Sequence, residues 1–172
     1  MRRKKDRQDL LLLKLKMINV QKNFLNQDDF TKLEKLILDK NFNYHIALKN
    51  EICLFYHVFY FDKIAKSPFT HFLKPLRDKV KNKILNASLV VVPKTNKKIN
   101  YTIKSDLIIK DIWKAVLFLN KNNGVLNIYD NEEILPEENK FCFYDANLHT
   151  SNFTCTDQNI KSYIYLDFEG SV

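Results

Sequence analysis

Only two glycines occur in the 172 residues, and neither sits in a G-x-G-x-x-G or G-K-[ST] run. That excludes the glycine-rich loops that cradle nucleotide phosphates. The three cysteines, Cys53, Cys142 and Cys155, are odd in number and form no C-x-x-C pair. A zinc cluster or a disulfide framework is therefore not expected, and a reducing, intracellular setting fits best. Long apolar runs are also missing. None approaches the roughly 20 residues of a membrane span. Leu10–Leu13 is shorter than the roughly 7–15 residues of a secretory h-region, so no signal peptide is expected.

What is present is a large apolar supply: 45% of residues, with thirteen Phe and eight Tyr. That suffices for a packed core and excludes global disorder. The formal net charge of +8 is unevenly placed. Arg2, Arg3, Lys4, Lys5, Arg7, Lys14 and Lys16 face only Asp6 and Asp9 within residues 1–16. This stretch reads as a basic, flexible leader capable of weak, salt-sensitive contact with polyanions. Residues 17–172, without repeat or linker, read as a single domain.

A helix is predicted after Asn26, which can cap it, with Asp28 and Asp29 at its positive end and Phe30, Leu33, Leu36 and Ile37 on one face; it should stop near Asn41. Glu51–Phe61 reads as a strand covered on both sides. Ser67-Pro68 opens a second helix, with Phe69, Phe72, Leu73, Leu76 and Val80 as its stripe and Pro75 kinking or splitting it. Short strands follow: Ile84–Val92, Trp113–Leu119, Val125–Tyr129, Glu133–Leu135, Lys140–Asp145 and Tyr163–Phe168. Asn122-Asn123-Gly124 is expected to supply positive φ angles for a tight hairpin. Helices first and strands later describe an α+β domain with a sandwich or barrel core.

Several segments in this order carry a resemblance: Asn23-Phe24-Leu25, Phe55-Tyr56-His57-Val58-Phe59-Tyr60, Ser67-Pro68-Phe69 leading to Pro75-Leu76, and Ala87-Ser88-Leu89 running to Pro93-Lys94-Thr95. It continues in Leu119-Asn120 with Asn122-Asn123-Gly124, and in Asn139-Lys140-Phe141 with Phe143-Tyr144-Asp145-Ala146-Asn147-Leu148. Cys155-Thr156-Asp157 closes it. The chain resembles the small 2-oxoglutarate/Fe(II)-dependent oxygenase-like proteins of tailed phages, related to prolyl 4-hydroxylases. The resemblance implies a double-stranded β-helix of jelly-roll or cupin type, with the N-terminal helices packed on it.

That chemistry needs two histidines and a carboxylate to hold iron, and a cation, usually Arg, to bind the distal carboxylate of the cosubstrate. In the position of the H-x-D motif stands Lys104-Ser105-Asp106. Asp106 keeps the carboxylate, but an ammonium at 104 repels a metal cation. Lys104 and Asp106 share a strand face, so an ion pair there could fill the metal's place. The second ligand maps to His149, one residue short of its usual place, which Thr150 holds. A one-residue slip turns a strand side chain to the other face unless a bulge restores it. The cosubstrate cation maps to Lys161, with Tyr163 and Tyr165 on its face, or else Lys161 is a strand-end lysine in solvent. His57 reads as a packed core histidine; His45 and His71 have no partner at ligand spacing.

Three functions follow as alternatives. A degenerate, non-catalytic protein would use the cup to bind a partner protein, a virion component or a small anion, and would need no cofactor. An active hydroxylase would use Fe(II) and 2-oxoglutarate on a peptide or nucleotide. A nucleic-acid binder would rely on the basic leader. The expected location is the host cytoplasm or a virion.

Overall fold

The computed structural model describes residues 18–37, 39, 41–101, 111–128 and 132–170. The leader at 1–16 and both Lys104 and Asp106 lie outside the described residues.

Eleven strands and three helical segments are described. Strand β1 is Ile18–Gln21, followed by helix α1, Gln27–Leu36. β2 is His45–Lys49, β3 Ile52–Phe61 and β4 Ile64–Ala65. A 3₁₀ helix, Pro68–Leu73, runs into α2, Lys74–Val80. β5 is Lys83–Pro93, β6 Ile112–Phe118, β7 Leu126–Ile128 and β8 Glu132–Ile134. β9 is Lys140–Asp145, β10 Thr150–Asn152 and β11 Ile160–Glu169.

These strands form two sheets. The larger has the order β1-β9-β6-β11-β5-β3-β2, with β4 added to β3, and the smaller has the order β10-β7-β8. Pairing is antiparallel throughout. Because side chains alternate across a strand, the larger sheet has two distinct faces. Phe59, Leu89, Val91, Leu117, Phe141, Phe143, Ile164 and Leu166 pack against Phe30, Leu33 and Leu36 of α1 and Leu76 of α2. Leu54, Val90, Val92, Val116, Phe118, Cys142, Tyr144 and Tyr163 instead face Leu126 and Ile128 of the small sheet. The space between the two sheets is a cup.

Local chemistry explains the helix starts. The Asn26 carboxamide accepts from Asp29 N–H at 2.9 Å and donates to the Asp29 carboxylate at 2.7 Å, capping α1. Ser67 caps the 3₁₀ helix by accepting from Phe69 N–H. Pro75 splits the expected second helix: the first piece tightens to 3₁₀, and α2 restarts with Pro75 in its first turn. Asn139, at φ 55°, clasps the backbone of Leu25 from both sides, at 2.8 and 2.7 Å. That fixes where the chain enters α1.

Two expectations need correction, and some strands are not foreseen from the sequence. α1 ends at Leu36, not near Asn41, because the Ile37 N–H turns back to Glu34 and Lys35. Asn122-Asn123-Gly124 is not a hairpin: β6 and β7 belong to different sheets, and none of the three residues has positive φ. Gly124 is required for space instead. A Cβ there would lie 2.7 Å from the Phe153 carbonyl oxygen and 2.9 Å from Thr154 C. Finally, β2 and β10 are strands that the sequence pattern does not announce. The turn between β2 and β3 is made by Asn50 and Glu51, both with positive φ (49° and 66°), the twist that two-residue hairpins favour.

Candidate functional site: a buried lysine in the cup

β11 carries Lys161 at its start, and the sheet register fixes where it points. Lys161 lies opposite Val92 of β5, and Tyr163 lies opposite Val90; both valines face the cup. The residues on either side are held by Asn120. Its side chain donates to Ile160 O at 2.8 Å and accepts from Ser162 N–H at 2.9 Å. Lys161 thus has little freedom to turn out.

The side chain is fully buried, at 0% exposure. Its ammonium donates to Phe153 O at 3.0 Å, Asn152 Oδ1 at 3.2 Å and Val125 O at 3.5 Å. It also stands 5.6 Å from the ring centres of Tyr101 and Tyr163, within cation–π reach. Gly124 makes this convergence possible. Only without a Cβ can residue 124 pass close enough to Phe153 and Thr154 for Phe153 N–H to reach Val125 O at 3.0 Å. Both carbonyls then face the same amine.

Two forces oppose each other at Lys161. Three acceptors suit the three protons of an ammonium, while removal from water penalises its charge. Burial wins: it pushes the amine down to about 7, with Lys98 lowering it slightly further and Cys155 opposing. The phenols beside it are pushed up, also mainly by burial. The Tyr101 and Tyr163 hydroxyls are near enough to influence each other's ionisation, yet neither makes a hydrogen bond of acceptable geometry. Both hydroxyls are fully buried.

Thr150 and Asn152 also face the cup. Asn152 reaches Lys161, and the Thr150 hydroxyl lies against that of Tyr144. His149 precedes β10, lies on the opposite parity and is exposed. No bulge turns it inward, so Thr150, not His149, takes the inward place. His57 is a core residue, as expected: Nδ1 meets Asn43 O at 2.6 Å and Nε2 meets Ser67 Oγ at 2.7 Å, inside a ring of Phe42, Phe59 and Phe69. A carbonyl only accepts, so Nδ1 carries a proton. His45 and His71 are exposed. Among the described residues no group of three or more His, Cys, Asp or Glu could hold a metal ion.

Further along β11 the cup ends differently. Tyr165 donates to Asp167 at 2.6 Å, and Asn86 donates to the other carboxylate oxygen at 2.9 Å. Beside them a cavity of about 340 Å³ is bordered by Leu54, Tyr56, Ser88, Val90, Tyr165 and the inner side of β2.

Tyr101, Asn152 and Gly124's steric role escaped sequence reasoning. Lys161 and Tyr163 were legible only through the family resemblance.

No protein-family profile and no curated protein matches the sequence. Solved structures do match in shape. A prolyl hydroxylase from Trichoplax adhaerens, in complex with a hypoxia inducible factor oxygen degradation domain peptide fragment, aligns with TM-score 0.62 and 12% identity over 88% of this chain and 83% of that one. A prolyl-4-hydroxylase from Pseudomonas putida aligns with TM-score 0.59 and 12% identity, over 90% and 93% of the two chains. A viral collagen prolyl hydroxylase from Paramecium Bursaria Chlorella virus-1 gives TM-score 0.55 and 9% identity over 90% of each chain. The fold is that of the 2-oxoglutarate/Fe(II) oxygenases. The two sheets are the halves of its double-stranded β-helix, and α1, the 3₁₀ helix and α2 are the helices expected to pack on it. Identities this low show shape alone, because one fold hosts many activities.

Of the positions that would hold the cosubstrate and metal of this fold, Lys104 and Asp106 lie outside the described residues; of the others, Lys161 does not fit the cosubstrate as it stands. Lys161 has no outward donor left for a carboxylate, and the histidine nearest the second ligand position faces solvent.

Proposed function

We infer that the chain is a non-catalytic protein on the 2-oxoglutarate oxygenase fold, with the cup retained as a binding or structural module. One observation carries this reading. The amine aligned with the cosubstrate cation is consumed by the protein itself, at 0% exposure and with three protein acceptors. Lys161 on β11 reaches Val125, Asn152 and Phe153, residues in or beside β7 and β10, and so pins the small sheet to the large one. The replacement of Arg by Lys supports this, since an ammonium meets a carboxylate only as a point charge and lacks the planar fork that binds it through two parallel hydrogen bonds. The exposed His149 supports it again.

The test is anaerobic titration of the full chain with Fe(II) and 2-oxoglutarate, read by the visible charge-transfer band and by calorimetry. No band and no heat are expected at millimolar cosubstrate. Saturable, stoichiometric binding of both would reject the reading and restore the active hydroxylase.

A further inference from the structure

The cavity of about 340 Å³ beside β11 is extended along the strands. Lys49, at one end, pairs with Ile52, four residues before Tyr56 on β3. Asn86, at the other end, lies four residues before Val90 on β5. Tyr56 and Val90 are paired with each other. The backbone positions of the two ends are therefore roughly 25 Å apart, at about 3.3 Å per residue. Between them the walls are Leu54, Val90, the ring of Tyr56 and the methyl of Ala47. Lys161 and Tyr163 do not border this space.

Its polar groups are unevenly divided. At the Asn86 end the protein satisfies itself. Tyr165 and Asn86 both donate to Asp167, and the Asn86 oxygen accepts from Asp62 N–H at 3.0 Å. The Lys49 ammonium, by contrast, has no hydrogen bond or ion pair among the described residues, and neither the Tyr56 nor the Ser88 hydroxyl makes a hydrogen bond there. Among the described residues no carboxylate borders the cavity.

We propose that this cavity binds one unbranched alkyl carboxylate, with its head group at Lys49 and its chain laid along Leu54, Tyr56 and Val90. Three features select that chemistry. An apolar space drawn out along the strands suits a linear chain, with a few polar groups left to fix its direction. Unpaired donors with no bordering carboxylate call for an anionic acceptor, and the formal charge of +8 steers anions toward the chain. The far end, where Tyr165 and Asn86 are turned to Asp167, offers no cation for a second carboxylate. The inference rests on the reading of the cup as a binding module. It gives that module a ligand class that needs neither iron nor the Lys161 amine.

Calorimetric titration of the full chain with decanoate, without iron and below the micelle concentration, tests this. Saturation at one decanoate per chain is expected. Each pair of carbons removed from the alkyl chain should weaken binding about tenfold, as less apolar surface is buried. Lys49→Gln should weaken decanoate about fivefold, the scale of one exposed ion pair, and leave 1-decanol unchanged. Ala47→Phe, from the edge strand, should fill the cavity and abolish binding of both, with an unchanged circular dichroism spectrum; Ser88→Phe blocks the same space from β5 if the first variant misfolds. Decanoate that does not saturate, that still binds a folded blocking variant, or that binds no better than decylammonium would overturn the proposal. A charge-transfer band with Fe(II) and 2-oxoglutarate would reject the non-catalytic reading whatever decanoate does. Silence toward decanoate without that band would reject the alkyl carboxylate alone.

Discussion

On its helix side the large sheet buries Phe, Leu, Ile, Val and Ala, whereas on its cup side the same strands turn in Tyr144, Tyr163, Cys142 and the amine of Lys161, with Tyr101 from outside the sheet packed against them. The first layer contains few atoms that water would miss. The second holds a cation whose ordinary protonation is opposed by burial and two hydroxyls without partners. A buried polar atom without a partner costs free energy, so a layer selected for stability alone would have shed them. The difference separates two layers: the helix side is apolar throughout, and the cup side carries polar groups at some expense of stability.

The largest expected effect breaks the helix side. Phe59 is 0% exposed and packs among Phe42 and His57. Phe59→Ala should cost about 3–5 kcal/mol, read as a fall in the urea midpoint with little change in slope. A loss below about 1 kcal/mol would mean that this layer is looser than its composition indicates.

Next comes the lysine, where the contrast can be read against pH. In the folded chain Lys161 is pushed down to about 7, from 10.5 when unfolded. Between those values the unfolded chain binds more protons, so this group's contribution to stability rises with pH from about 7 to 10.5. Below about pH 7 the folded state must carry a buried ammonium. Lys161→Met removes the dependence. The stability difference between wild type and variant should therefore move in favour of wild type by a few kcal/mol from about pH 6 to about pH 10. A difference that stays flat would show that the amine is not desolvated as its burial implies.

Much of this contrast is written in the sequence, though unevenly. Alternation in Glu51–Phe61 announces a strand covered on both faces, and Asn26 with Asp28 and Asp29 announces the start of α1. Exposed or polar strands are not legible. β10 is Thr-Ser-Asn, and β2 has apolar residues on the face that water reaches; neither fits an apolar-in, polar-out pattern. The burial of Lys161 cannot be read locally either, because lysines are almost always exposed; only the family resemblance places it in the cup. The backbone freedom of Gly124 suggests a hairpin, whereas what matters is a carbonyl from residue 153, distant in sequence.

That carbonyl sets the third prediction, at the joint between the sheets. Gly124→Ala puts a methyl 2.7 Å from Phe153 O, against backbone that cannot easily yield. A loss of about 1–3 kcal/mol is expected. Because Val125 and Phe153 supply two of the lysine's acceptors, the substitution should also loosen the amine and shrink the pH dependence described above. A stable variant with that dependence intact would separate Gly124 from the lysine site.

The smallest effect sharpens the comparison most. Tyr163 is 1% exposed, and its hydroxyl has no hydrogen-bond partner. Its ring is what the Lys161 amine faces, at 5.6 Å. Tyr163→Phe keeps the ring and deletes only the orphaned oxygen. Stability should hold or rise by up to about 1 kcal/mol, since an unsatisfied buried group is removed, and the melting temperature would register it. The outcome bears on the whole cup side. A gain would mean that the hydroxyl is carried at a cost, as expected of a group shaped for a ligand. A loss above about 1 kcal/mol would mean that the hydroxyl is partnered in solution, which would make the cup as internally satisfied as the helix side and dissolve the contrast between the two faces.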